Sequence, residues 1–216
     1  MEKVAVIFES YLTTLVHPFR LHEQFRSKIP MAGYEGELIE PLSLAEAVGV
    51  SWIFAFLRGI CKIIILNFFL QTILSFQSDN FPILQELAKS SGITTYYFLL
   101  FSAALDVIFF PIGAIIMTEL WSWVIKTYAK FLNPELPGEE IAAEITNHAL
   151  ASNLFSVIPF LGDMIQPLLY YFLLYSGIRS NLGASRSLAW VILLTPTIIG
   201  LMAISFMLFV IFYLVS

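Results

Sequence analysis

Apolar and polar positions alternate with helical period at the start of the chain. Over residues 4–16, Val4, Ile7, Phe8, Tyr11, Leu12 and Leu15 fall on one face, and Ser10, Thr13, Thr14 and His17 on the other with Lys3. The stretch is too short and too polar to cross a bilayer. It predicts an N-terminal interfacial amphipathic helix ended near Pro18, its apolar face lying either in the membrane surface or against a helical bundle. Residues 20–48 are polar and acidic, carry Pro30, Gly33, Gly36 and Pro41, and predict a loop with a short lead-in helix.

From residue 49 the pattern changes to long apolar runs without a continuous polar face. These predict membrane spans over about 49–74, 93–125, 141–158, 164–178 and 188–215. Polar, Pro- and Gly-bearing stretches separate them: Ser78, Asp79, Pro82 and Gly92; Asn133, Pro134, Pro137 and Gly138; Pro159 and Gly162; and the small-residue stretch from Gly177 to Ser187. Pro111 and Gly113 predict a kink in the second span, and Pro196 and Gly200 interrupt the fifth. The third span is the most polar and the fourth the shortest, which leaves full crossing and partial re-entry both open for the third. The expected fold class is all-α, a polytopic transmembrane helical bundle of five spans. Residues 1–48 form a cytoplasmic, interfacial segment and 49–216 the transmembrane domain.

Composition strengthens this reading. Of the 216 residues, 58% are hydrophobic and only 12% charged, where a soluble chain carries about 25% charged residues. A net charge of −5 argues against a nucleic-acid partner, which calls for a basic stripe. Cys61 is the one cysteine and supplies neither a disulfide framework nor a metal motif. Glu2 and Glu9 flank the first apolar run, and no small-residue cleavage site follows, so no secretory signal is expected. Lys3, Arg20, Arg26, Lys28, Lys126, Lys130, Arg179 and Arg186 fall on one side of the expected spans and Lys89 alone on the other. This bias predicts a cytoplasmic N-terminus and an outside C-terminus. Trp52, Trp121, Trp123, Tyr96, Tyr97, Tyr128 and Trp190 lie near expected span ends and suggest an interfacial aromatic belt.

Charges within apolar runs are the candidate functional groups. Arg58 and Lys62 are four residues apart on one face of the first span, Asp106 lies near the middle of the second, and Glu119 lies nearer its cytoplasmic end. A lone charge at membrane depth costs about 2.5–3.5 kcal/mol on insertion scales, so these four, which sum to zero, are expected to pair. The pairing is either a structural clamp or a polar pathway for an ion, a proton or a lipid headgroup. In the third span Glu144, Asn147, His148 and Ser152 share one face, expected as a solvated membrane-edge face neutralised by Lys126 or Arg179. Glu119, Glu144 and His148 are a weak candidate set for a divalent metal or proton relay. His17 and His22 are expected on the aqueous surface. No phosphate loop, nucleophile elbow or Cys/His cluster is present, so neither catalysis nor a cofactor is expected.

Leu168 to Arg179 reads L-L-Y-Y-F-L-L-Y-S-G-I-R, and Ser185 to Val191 reads S-R-S-L-A-W-V. This step from an apolar span through a small, glycine-bearing and basic end into the next span resembles the Yip-domain family of Ypt/Rab-interacting membrane proteins. His148 to Pro159 resembles that family's third span, and Leu15 to Phe19 the proline-bearing N-terminal segment of its short bacterial members. Asp106 to Pro111 departs from the Asp-Leu-Tyr-Gly-Pro motif of eukaryotic members by lacking its Tyr and Gly. The resemblance implies five spans, a cytoplasmic N-terminus and a multi-pass protein of a bacterial inner membrane. The short N-terminal segment argues against a small-GTPase partner. Two functions are therefore expected to compete. One is a non-enzymatic membrane-organising protein that touches lipid and binds itself or another membrane protein; the other is a small transporter or channel for ions, protons or lipid.

Overall fold

The computed structural model describes residues 2–29, 38–76, 82–158 and 161–215. The elements are α1 (Glu2–Val16), α2 (Pro18–Ser27), α3 (Leu44–Phe76), α4 (Pro82–Leu132), α5 (Gly138–Ala149), a 3-10 segment (Leu150–Val157), α6 (Leu161–Ser180) and α7 (Arg186–Val215). No strand occurs among the described residues. Three helices are long and apolar enough to cross a membrane, over Leu44–Phe68, Leu100–Leu132 and Arg186–Tyr213. The expected count of five is not reproduced.

The difference arises in the expected third and fourth spans, neither of which is among the three. Residues 141–158 are not one α-helix: α5 stops at Ala149 and the chain tightens into the 3-10 segment. A 3-10 run of this length is uncommon because its hydrogen-bond geometry is poorer. Most of the stretch is buried inside the chain, including Ile145, Asn147, His148, Ala151, Ser152 and Asn153. It is a central strut on which α1, α3, α4 and α6 pack, not a face presented to lipid or solvent. The expected fourth span lies within α6.

One boundary also moves. Residues 82–92, expected as loop, are the first turns of α4, which runs unbroken from Pro82 to Leu132. The first helix ends at Val16, near Pro18 as expected, and Pro18 also opens α2, the position where a missing N–H costs least. Lys28 then ends α2 in the left-handed conformation, donating its N–H to the Gln24 carbonyl. Residues 30–37, with Pro30, Gly33 and Gly36, lie outside the described residues.

The first helix turns a mixed face to the bundle. Tyr11 of the expected apolar face is core, with Ile7 and Leu15 packed against it, and Ser10, Thr13 and Thr14 of the polar side are buried too, while Phe8 and Leu12 are exposed.

Helix α4 passes through Pro111, and this explains a contact to α3. Proline has no N–H, so the carbonyl four residues earlier, at Val107, loses its intrahelical donor. The indole Nε1 of Trp52 on α3 donates to that carbonyl at 2.8 Å, the kind of substitute donor a broken helix needs away from water. Trp52 is thus a cross-helix tie rather than only a belt residue, and Trp121 is core, 2% exposed. Two turns further on, Gly59 lets the helices close: a Cβ there would meet the Val107 side chain at 2.9 Å. Gly177 on α6 likewise admits Ile145 of α5, which would lie 2.7 Å from an added Cβ.

Trp52→Phe should destabilise the protein by about 1–3 kcal/mol by leaving the Val107 carbonyl without a donor. Pro111→Ala restores an intrahelical N–H, so Trp52→Phe should cost less in that background. Unfolding midpoints of the four proteins in detergent form the double-mutant cycle; equal costs in both backgrounds would show that the indole does not serve the proline.

Candidate functional site

Charges within the apolar helices α3 and α4 gather with one from α6. Arg58 Nη2 forms a direct ion pair with Asp163 Oδ1. Lys62 Nζ lies 3.8 Å from Asp163 Oδ2 and 3.9 Å from Asp106 Oδ2. The expected cluster is corrected in one member. Glu119 is exposed on α4, roughly 20 Å along the helix from Asp106, and Asp163 stands in its place. Asp163 occupies the first turn of α6, where the helix dipole favours a carboxylate. The sum of charges is still zero. The small-residue contact of Ala55, Gly59 and Ala103 borders a cavity of only about 20 Å³ beside the cluster, the space of about one water.

The pairing also measures how far the chain between α4 and α7 reaches. Arg58 lies about 21 Å along α3 from Leu44, and α3 continues for roughly 27 Å beyond it. The start of α6, at Asp163, therefore sits part of the way along α3, well short of its end. The cluster is not enclosed: the Asp106 side chain is 62% exposed and that of Asp163 45%.

The polar residues of the expected third span do not form one site. Glu144 accepts a hydrogen bond from Asn181 Nδ2 at 2.6 Å, joining α5 to the α6–α7 connection. Burial raises its pKa, and the Asn181 bond opposes that. Asn147 Nδ2 donates to the Leu42 carbonyl at 2.9 Å. His148 Nε2 accepts the Leu42 N–H at 3.1 Å, which leaves the proton on Nδ1, 2.7 Å from Thr14 Oγ1. The Thr14 hydroxyl in turn donates to the Ser10 carbonyl at 2.7 Å. Ser152 faces α6, where Gln166 Nε2 lies 3.5 Å from it. Asn147, His148 and Ser152 are buried ties among α1, the α2–α3 connection, α5 and α6, and the solvated-face reading is corrected accordingly.

The candidate metal set is likewise not assembled. Both His148 nitrogens are engaged, Glu144 is turned to Asn181, and Glu119 is distant. Among the described residues no group of three or more His, Cys, Asp or Glu side chains could hold a metal ion.

Other participants carried no usable signal in the sequence. The Leu150 carbonyl, where α5 turns into the 3-10 segment, has Tyr11 Oη at 3.1 Å, Ser51 Oγ at 3.3 Å and Asn153 Nδ2 at 2.9 Å. His22, expected on the surface, is fully buried, and neither ring nitrogen has a partner. Its ring lies 5.9 Å from that of His148. Burial lowers the His22 pKa from 6.5 to about 3. Burial, and then the neighbouring His22, hold His148 well below the usual imidazole value.

No protein family, curated protein or solved structure matches the chain. The Yip-domain resemblance therefore gains no support from these comparisons.

His148→Leu should destabilise the protein by about 1–3 kcal/mol, since it strips partners from the buried Leu42 N–H and Thr14 hydroxyl, whereas Glu119→Gln should change stability by less than about 0.5 kcal/mol. Thermal unfolding in one detergent reads both, and equal effects would remove the distinction drawn between them.

The imidazoles also set a pH dependence. Their pKa values are depressed in the folded state, so below about 6.5 the unfolded chain binds more protons and folding loses ground. Stability contributed by neutral His22 is fully present above that value and declines as pH falls toward about 3. His22→Phe should flatten the fall of the unfolding midpoint between pH 7 and pH 4.5; an unchanged slope would exclude His22 as its source.

Proposed function

We propose that this chain is a non-enzymatic membrane-organising protein, acting through a protein–protein contact on the face formed by α3, α4 and α6. One observation carries the reading: Asp106, on a helix apolar enough to cross a membrane, turns a largely exposed carboxylate outward. Lipid is a poor neighbour for such a group. Lys62 reaches it only at 3.9 Å. A second protein surface would cover the patch and supply polar partners.

The topology we propose has a cytoplasmic N-terminus and an outside C-terminus. Helices α3, α4 and α7 cross, while α5, the 3-10 segment and α6 form a hairpin that enters from the cytoplasmic side and returns to it. Two features favour the hairpin over two further crossings. The start of α6 lies opposite Arg58, well before the end of α3, and the polar groups of α5 and the 3-10 segment are buried in protein, where non-α backbone at membrane depth is tolerated. A hairpin and two full spans both return the chain to the side it left, so the Lys/Arg bias accommodates either. In this arrangement Arg26 lies against Gly183, Lys126 pairs with Glu139, and Arg179 binds the Ala184 carbonyl, all toward the same end of the bundle.

The second reading, a transporter or channel, rests on the same exposed Asp106. Against it stand the ion pairing of Arg58 and Lys62 and the water-sized cavity beside them. Chemistry at Glu119, Glu144 and His148 is not proposed, because those groups point to different elements.

A spin label on Phe109→Cys in a Cys61→Ser background, one turn from Asp106 on α4, separates the readings in reconstituted membranes. Shielding from both oxygen and a water-soluble nickel chelate is expected for a protein-covered face. Accessibility to the chelate, together with cation or proton flux that Asp106→Asn abolishes, would replace the organising role with transport. Accessibility to oxygen alone would place the face in lipid and remove the proposed contact.

A further inference from the structure

The distribution of charge on the α3–α4–α6 face names the partner that fits it. The two cations, Arg58 and Lys62, form a stripe on α3, one turn apart; the two anions, Asp106 and Asp163, stand on α4 and α6. Arg58 and Asp163 pair directly. Lys62 is shared between two carboxylates at 3.8 and 3.9 Å, near the limit of an ion pair, and engages neither closely. Its side chain and that of Asp106 both remain open to the outside, at 35% and 62% exposure. The face therefore offers one loosely held cation and one loosely held anion side by side, with no net charge left for a partner of either sign.

We infer that the occupant of this face is a second copy of the same chain, related by a two-fold axis that sets Lys62 of each protomer against Asp106 of the other. A two-fold contact is self-complementary: if residue i meets residue j, then j meets i. A cation stripe beside an anion stripe meets that requirement, because a half-turn brings α3 of one copy opposite α4 of the next. A partner of one predominant charge would satisfy half of the face and repel the rest. The surface beside the cluster also suits packing by another helix. Phe110 borders both the cluster and an open groove of about 440 Å³ between α4 and α6, where Gly113, Ala114 and Met117 form the α4 wall. A Cβ at Gly113 would meet nothing within 4 Å, and small residues let membrane helices approach closely. This inference rests on the protein-contact reading above and specifies its partner.

Charge reversal in trans tests it on the full chain. The wild-type protein, reconstituted in nanodiscs or held in mild detergent, is expected to be a dimer by light scattering. Lys62→Glu alone sets like charges across the two-fold axis, as does Asp106→Lys alone, so each should be monomeric. In a mixture of the two, every cross-axis pair is again opposite in sign, and a heterodimer should form, detected by differential tags. Misfolded chains could not restore each other in this way, and the milder Lys62→Gln and Asp106→Asn should lower the dimer fraction with the fold intact by circular dichroism.

Dimers of either single reversal at wild-type strength, or a mixture that stays monomeric, would overturn the inference. A monomeric wild type that nonetheless co-purifies with a different membrane protein, released by Asp106→Lys, would leave the protein-contact reading standing and remove the second copy. A monomeric wild type with a chelate-accessible label would remove both.

Discussion

A backbone carbonyl or N–H removed from water must find a partner within the protein, and the penalty for failing is of the same order as a whole side chain's contribution to stability. The segment from Gly138 to Val157 is organised by that constraint. Where α5 gives way to the 3-10 segment, the Leu150 carbonyl is met by groups from α1, from α3 and from the segment itself. One turn earlier, Asn147 and His148 take up both backbone groups of Leu42 at the entrance to α3. These ties hold four parts of the chain around one buried strut, and loosening one leaves groups in several elements unpaired.

The strut determines where the charged groups meet. Because α5 and the 3-10 segment run alongside α3, the following turn delivers Asp163 to Arg58. Lys62, one helical turn further along α3, then lies between Asp163 and Asp106. The same packing leaves Asp106 facing outward. Structural pairing and outward exposure belong to one cluster: α6 pairs Arg58 through Asp163 and leaves Lys62 and Asp106 more loosely held toward the outer face.

The N-terminal hairpin follows a related logic. In water an amphipathic helix turns its apolar side inward, but beside a polar strut polar groups are drawn inward as well. Tyr11 and Thr14 face inward, where the Tyr11 hydroxyl reaches the Leu150 carbonyl and the Thr14 hydroxyl completes the hydrogen bonding of His148, while Phe8 and Leu12 face outward. Burial of His22 next to His148 without a hydrogen-bond partner is stable only while the ring is neutral, which ties the seating of α2 to pH.

Local properties of the sequence were sufficient for the class and for much of the cluster. Runs of apolar residues longer than a bilayer needs mark α3, α4 and α7 whatever their neighbours do, and the cost of charge at membrane depth singles out Arg58, Lys62 and Asp106 as groups that must be paired. Tertiary structure decided the rest, because it depended on residues distant in sequence. Asp163 lies between the expected third and fourth spans and gave no sign of its pairing with Arg58, and Glu119 read as a partner until helix length set it apart. Trp52 could not be matched to Pro111 without the crossing of α3 and α4. Glu144, Asn147, His148 and Ser152 looked like one polar face by helical spacing, yet their partners lie on different elements, and the helix carrying the first three ends before Ser152. Periodicity says which residues share a face; only packing says whether that face meets water, lipid or another part of the chain.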